Sequence, residues 1–406
     1  MRIAVQKFGG TSLATPETRE RVCEMIKSAV NDGFRVVVVV SAMGRENDPY
    51  ATDTLLKMIR ETNNNPSPRE IDLLLACGEI ISSVLLSNHL KNHGISATAL
   101  TGEQAGIYTD SNFGNARILY VDSKSILECL EKGIVPVVAG FQGVNELGET
   151  TTLGRGGSDT TASALGVALG AEIIDIFTDV EGVMTADPRI VHNAKLLDAI
   201  TYNEICQLTR EGAKIVNPRA IEIAMQSGIP LRIRSTFSGS PGTLITNQIH
   251  QSNAIKTIRD QLITGITYTS NLTQIKIKKD ESSREIELKV FRSLALAGIS
   301  VDFINVQREL IVFTVSADSA SKALAILKNL DLCPTLISDC AKVAVVGAAM
   351  TGMPGVMAQV IEALHENHIP LLQSGDSYTN IWCLVNREHM ETAVKALHDK
   401  FELGNK

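Results

Sequence analysis

The run Lys7-Phe8-Gly9-Gly10-Thr11-Ser12 puts a lysine ahead of a glycine pair. Residues without a Cβ let the backbone approach a ligand closely, and the amides beside them can cradle phosphate oxygens. Lys7 would add a point charge. The lysine precedes the glycines, so this is not a Walker-type phosphate loop, and the third glycine of a dinucleotide fingerprint is missing. A tight strand-to-helix turn with a solvated lysine fits the same residues. A second cluster runs Thr150-Thr151-Thr152-Leu153-Gly154-Arg155-Gly156-Gly157-Ser158-Asp159. Its glycines, with Ser158 or Asp159 as the cap of the helix that follows, would make an anion site at a helix N-terminus. Arg155 could hold a carboxylate in a bidentate fork. The alternative is a flexible surface loop with a capped helix, but three hydroxyls, an arginine and an aspartate in one loop favour function.

Glu79 lies among Leu73, Leu74, Leu75, Ala76, Cys77, Gly78, Ile80 and Ile81. A helix that is apolar all round is buried, and a carboxylate on it must hold its proton or find a cation. Either a structural ion pair or a grip on a ligand ammonium satisfies this, with Gly78 leaving room for the ligand. The segment Phe177 to Arg189 gathers hydroxyl, acidic and basic groups after a strand, where open α/β sheets bind ligands. Lys214 opens a further loop. His365 and His368 lack a third ligand, and the part before Leu244 has only His89, His93 and His192, with no Ser/His/Asp arrangement. The seven cysteines include no Cys-x-x-Cys, and Cys333 and Cys340 lack metal-type spacing. Reduced thiols are expected, with neither disulfides nor a zinc site, and no protein-held metal.

These groups need elements to position them. The chain has 406 residues, which at roughly 150 per domain predicts two or three domains. Its 44% hydrophobic and 20% charged residues allow an ordinary core. A net charge of −7, from 38 Lys+Arg against 45 Asp+Glu, argues against nucleic acid or a membrane surface as partner. The longest aliphatic run, Val36 to Val40, is too short to span a bilayer, and Met1 to Val5 reads as a strand, not a leader. Strands are predicted at Ile3–Phe8, Arg35–Val40, Ala97–Leu100, Ile134–Ala139, Ile173–Phe177 and Leu231–Arg234. Helices are predicted at Arg69–His93, Asp122–Lys132, Thr160–Leu169 and Pro218–Gln226, with Thr15 capping an earlier one that begins at Pro16. The alternation implies an α/β fold with a mainly parallel sheet covered on both faces. Phe141 to Thr152 reads as a hairpin standing off that sheet. Turn formers from Ser235 to Gly242 mark a boundary. Beyond it, Val290, Leu294, Ile299, Ala323, Leu324 and Leu327 match Val360, Leu364, Ile369, Ala393, Val394 and Leu397 at a constant offset of 70 residues. Each copy reads as a βαββα unit, an internal duplication.

Together Lys7–Ser12, Ser41–Gly44, Cys77–Glu79, Gly154–Asp159, Thr178–Gly182 and Asp187–Arg189 resemble aspartokinase, of the amino-acid kinase superfamily. The paired repeats resemble its two ACT domains. Residues 39–54 and 352–403 look most like the diaminopimelate-sensitive branch of Bacillus-type bacteria. The resemblance implies a three-layer kinase domain at 1–245, a first ACT unit at 263–337 and a second built from 246–262 plus 338–406. It implies transfer of the ATP γ-phosphoryl group to the side-chain carboxylate of L-aspartate, the first step toward lysine, diaminopimelate, threonine and methionine. That carboxylate is ionised at neutral pH (model value about 3.9), so no general base is needed; the difficulty is charge repulsion. By analogy Lys7 and Asp159 are catalytic, with Gly9 and Gly10 beside the phosphates. Ser41, Thr52, Glu79, Arg155 and Ser158 bind aspartate, Glu79 through its ammonium and Arg155 through a carboxylate. Thr178, Asp179, Met184, Arg189 and Lys214 hold ATP, Met184 standing where many relatives carry Tyr. Magnesium would be bound mainly through the nucleotide. An amino-acid effector, diaminopimelate or lysine, would meet Val301, Asp302 and Asn305 of one unit and Met353, Pro354, Gly355 and Val356 of the facing one, in a cytoplasmic homodimer. Asp302 could instead cap or solvate a strand edge. Two rival readings remain: a glutamate or acetylglutamate kinase, and a non-catalytic amino-acid sensor.

Overall fold

The computed structural model describes residues 1–247, 263–279, 285–347, 350 and 354–404. The expected second-unit segment 246–262 lies, from 248 onward, outside the described residues, as does Met353. The chain divides into two compact units. The first comprises residues 1–183, 196–209 and 214 onward to 247; the second comprises 184–195, 210–213 and the described residues from 263.

The first unit contains strands β1 (Ile3–Phe8), β2 (Arg35–Val40), β3 (Ala97–Leu100), β4 (Ile107–Thr109), β5 (Ile118–Val121), β6 (Val135–Ala139), β7 (Gln142–Val144), β8 (Thr150–Thr152), β9 (Ile173–Thr178), β10 (Ala199–Ile200), β11 (Leu231–Ser235) and β12 (Thr243–Ile245). Its helices are α1 (Gly10–Leu13), α2 (Pro16–Asn31), α3 (Thr52–Thr62), α4 (Pro68–Asn92), α5 (Lys124–Glu131), α6 (Gly157–Ala168), α7 (Tyr202–Arg210) and α8 (Pro218–Ser227). Eight strands form one sheet in the order β10-β12-β11-β9-β1-β2-β6-β3, parallel at every pairing except β11 with β12. β2 shows why its sequence is a run of valines. Val36, Val38 and Val40 face the helices α2 and α4, while Val37 and Val39 point to the opposite face and are equally buried. Successive side chains of β1 divide the same way. Phe8 joins the α2/α4 core, and Lys7 points to the face on which α6 packs. Helix, sheet and helix therefore make three layers. The hairpin β7–β8 belongs to a separate four-stranded sheet, β5-β4-β7-β8, as the turn-rich sequence around it predicted.

The second unit repeats one element order twice: β13 (Ile263–Lys278), α9 (Ile286–Leu296), β14 (Asp302–Val306), β15 (Leu310–Ser316), α10 (Ala317–Lys328), then β16 (Thr335–Gly347), α11 (Val356–Glu366), β17 (Gln373–Asp376), β18 (Asn380–Asn386), α12 (Met390–Lys400). The strands form one antiparallel sheet, β14-β15-β13-β16-β18-β17. Val290, Leu294 and Leu327 sit in one core, Val360, Leu364 and Leu397 in the other, so the residues matched at the offset of 70 play the same packing role.

Candidate active site

β1, β2, β6 and β9 run parallel and end together at Phe8, Val40, Ala139 and Thr178. The chain leaves β1 toward β2 on one side and meets the later β9 on the other, so the strand order switches at β1 and opens a crevice at this edge. Lys7, one residue from the end of β1, is largely buried. Its Nζ lies 2.7 Å from Oδ1 of Asp159 in the first turn of α6. The other Asp159 oxygen accepts the Asn217 backbone N–H (3.3 Å), and the Asn217 side chain donates to the Arg155 carbonyl. Asn217 thus fastens the glycine loop to the ion pair. Sequence reading missed it, although an Asn-Pro opening a helix is a visible N-cap signal, and Asn217 does cap α8.

Neither Ser158 nor Asp159 caps α6. The cap is Gly156 in a left-handed conformation (φ 69°), and a side chain there would collide with Asn217. Ser158 and Asp159 follow inside the first turn, where an anionic side chain complements the helix dipole. Arg155 is exposed, with no ion-pair partner among the described residues. The hydroxyls of Thr151 and Thr152 do not join this loop. Thr151 bonds Thr109, and Thr152 bonds the buried Asp72, which also accepts the Gly114 N–H.

The loop after β2 closes the crevice. Ser41 donates its N–H to Phe8 O, and Gly44 donates to Gly10 O. A methyl on Gly10 would sit 2.5 Å from the Ala42 carbonyl oxygen, so glycine is required there by close packing of two backbones. Ala42 N–H in turn donates to Glu79 Oε1 at 3.0 Å. Glu79 is 2% exposed and its Oε2 has no partner. Burial pushes its carboxyl up to about 8, against the pull of the Ala42 hydrogen bond. A carboxylate half-satisfied in this way is suited to an incoming ammonium. Gly78 does not supply the room: a Cβ there would lie 2.8 Å from Ala42 Cβ and 2.9 Å from Tyr50 O, so the glycine admits the loop, not a ligand. Thr52 opens α3 at the end of that loop. Thr178 and Asp179 follow β9, with Asp179 paired to Arg45 at 2.7 Å, and Lys214 is exposed before α8.

A model of the amino acid kinase family matches residues 2–235, and an ACT domain model matches residues 335–399. Aspartokinase 1 of Bacillus subtilis (strain 168) is 50% identical over 404 residues, covering 100% of each chain. The chain belongs to the aspartokinase family. Among solved structures, E. coli aspartokinase III in complex with aspartate and ADP (R-state) matches 98% of this chain and 99% of its own, with 28% identity and a TM-score of 0.77. The same enzyme in complex with lysine and aspartate (T-state) covers 99% and 100%, with 28% identity and a TM-score of 0.76.

Two residues expected at the nucleotide on aspartokinase resemblance, Met184 and Arg189, fall in the second unit. There Arg189 makes a two-pronged pair with Asp187, Nε at 3.0 Å and Nη2 at 2.7 Å, which holds the Asp187 carboxyl below its ordinary range. Of the residues expected at an effector, Asp302 pairs with Lys342 (2.6 Å), which also pairs with Glu211 (2.8 Å). Val301 packs on the first repeat's core and Asn305 is exposed on β14. Pro354 and Gly355 are exposed, whereas Val356 is a core residue of the second repeat and is not available to line an open pocket. Among the described residues no helix is long and apolar enough to cross a membrane.

Proposed function

We propose that the chain phosphorylates the side-chain carboxylate of L-aspartate with ATP, giving 4-phospho-L-aspartate and ADP. The Lys7–Asp159 ion pair at the strand-order switch carries this reading. Both reactants are anions, so the protein must bring positive charge and amide dipoles to the transferring phosphoryl group. Lys7 Nζ stabilises charge on that group, and Asp159 holds the amine in place. The Gly10 amide and the positive end of α6 face the phosphates, whereas the Gly9 N–H, expected beside them, is taken by the Phe177 carbonyl (3.2 Å). Glu79 takes the aspartate ammonium and Arg155 one of its carboxylates; Ser41, Thr52 and Ser158 line the pocket. Thr178, Asp179 and Lys214 contact the nucleotide.

Asp159 is committed to Lys7, and the one His/Cys/Asp/Glu group with three converging donors among the described residues, Cys23 with His89 and His93, includes none of these site residues. A crevice whose Asp159 is tied to a lysine fits a magnesium ion held by phosphate oxygens and water, where it would neutralise phosphate charge. The lysine in the E. coli T-state complex supports an amino-acid effector, lysine or diaminopimelate, acting through the repeats of this chain. A homodimer is supported by β14, an edge strand that leaves Ile304 and Val306 about half exposed (50% and 47%). A cytoplasmic location follows from the family's biosynthetic role.

The test is ADP release with aspartate, glutamate and N-acetylglutamate in parallel. Turnover with aspartate alone is expected. Turnover with glutamate alone would overturn the assignment, and binding without turnover would leave a sensor.

A further inference from the structure

On the sheet face opposite Lys7, α2 and α4 bring together three donors that the kinase chemistry does not use. Cys23 Sγ and one ring nitrogen each of His89 and His93 all lie within 4.8 Å of one another. Glu20 Oε2 sits 3.1 Å from His89 Nε2 and 3.0 Å from His93 Nε2, so a single carboxylate oxygen is shared by both imidazoles. The spacing explains the convergence. Glu20 and Cys23 are three apart on α2, and His89 and His93 four apart at the end of α4, so each pair occupies one helix face. Histidines four apart on a helix are the standard way to aim two ring nitrogens at one ion.

We propose that Cys23, His89 and His93 form a site for a zinc ion, with Glu20 beside both imidazoles. Donors about 2.0–2.3 Å from such an ion lie roughly 3.3–3.8 Å from one another, so Cys23, His89 and His93 need only small side-chain rotations to close on it. A thiolate and two imidazoles suit zinc far better than magnesium or calcium. Glu20, already 3.0–3.1 Å from both imidazoles, would complete a closed four-donor site by turning toward the ion. Cys23 is 1% exposed and anchored in the core beside Leu86 and Leu90, while His89 and His93 are partly exposed and give the ion a way in. The ion would also lie at the C-terminal end of α4, where the helix dipole favours a cation. Its effect is a clamp: α2 follows the Lys7–Ser12 loop, and α4 carries Glu79. Cysteine-spacing rules missed the site because they look for ligands close in sequence, whereas here the two helices lie some 70 positions apart in the chain.

The test uses the full chain, stripped with chelator and free of nucleotide. Zinc is titrated against a chromophoric chelator, and cobalt is followed by absorbance. One equivalent of zinc should bind and raise the melting temperature. Cobalt should give a thiolate charge-transfer band with the intense visible bands of a four-coordinate ion. His93→Gln, at a partly exposed position, should keep the fold yet weaken zinc at least about 100-fold and abolish the zinc-dependent rise in melting temperature. Cys23→Ser should remove the charge-transfer band. Absence of tight binding to the parent chain would overturn the proposal. So would unchanged binding by His93→Gln, which would place the ion elsewhere.

Discussion

At the residue scale, the ion pair at Lys7 has two separable roles. Both side chains are about nine-tenths buried. Removing one leaves the other charged and unpaired, at a cost of about 3–5 kcal/mol, whereas replacing both together is near neutral. Lys7→Ala should therefore lower both the melting temperature and kcat, the latter by roughly 10²–10³-fold, the size of effect seen when one charge-stabilising donor is lost. The double variant Lys7→Met with Asp159→Asn should regain most of the stability and none of the turnover. Recovery of turnover in the double variant would mean that Lys7 matters only for folding. Glu79 is the site's other buried acidic group, and its pKa shift runs opposite to that of a paired carboxylate. Folded, it keeps its proton up to about pH 8; unfolded, it loses it near 4.5. Between those values the folded state binds more protons, so this group's contribution to stability falls as pH rises through the window and levels off above it. Glu79→Gln should flatten that slope in urea midpoints measured across pH. It should also raise KM for aspartate by about 10–100-fold, the equivalent of a charge-assisted hydrogen bond of roughly 1.5–3 kcal/mol. With Glu79 intact, aspartate binding near neutral pH should release a proton to the buffer, measurable by calorimetry in buffers of different ionisation enthalpy. An unchanged KM would remove the ammonium role. The charge partners of the site were legible as residue types: Lys7, Glu79 and Asp159 each stand in a pattern that ordinary surface residues do not make. Their connectors were harder to read: Ala42 acts only through a backbone N–H, and the Asn-Pro at 217 signals a helix cap but not its backbone bond to Asp159.

At the element scale, periodicity located the strands well because the parallel ones are buried on both faces and read as unbroken apolar runs. β2 and β3 begin and end where the sequence predicted. The start of α6 was missed by three residues, since its first turn is glycine and polar groups that face the crevice instead of a core. α3 was missed because its cap, Ala51, carries no side-chain signal, and α7 was missed although Thr201 and Glu204 form a capping box at its start. Gly78 shows what an element-level reading adds. In an exposed helix interior, Gly→Ala gains about 0.5–1 kcal/mol. Here the new methyl would overlap Ala42 and the Tyr50 carbonyl, so Gly78→Ala should instead destabilise by about 1–3 kcal/mol. It should also raise KM for aspartate, because the displaced loop carries the Ala42 N–H that orients Glu79. A stabilised variant with unchanged KM would contradict this packing.

At the scale of the whole chain, the duplication was visible because both copies must fill equivalent cores, and packing residues recur at a fixed offset when the fold does. The bonding of Asp302 could not be read this way, since its partners Lys342 and, through it, Glu211 come from distant positions. Burial lowers the Lys342 amine, yet hydrogen bonds and charges from Asp302 and Glu211 outweigh it and hold the amine above its ordinary range. Asp302 is well exposed on its own side (62%), so its carboxylate both neutralises Lys342 and remains open to a second cation. An effector ammonium arriving there would compete with or join Lys342, and regulation follows only if that exchange favours one state of the enzyme over the other. Asp302→Asn leaves Lys342 with Glu211, so the fold and the uninhibited kcat should persist. The half-inhibiting concentration of lysine or diaminopimelate should rise at least about tenfold, the loss of one charged contact worth about 1.4 kcal/mol. Titrating lysine, diaminopimelate and threonine against both proteins checks this. Identical inhibition curves would assign Asp302 to Lys342 alone and move the effector ammonium to another carboxylate.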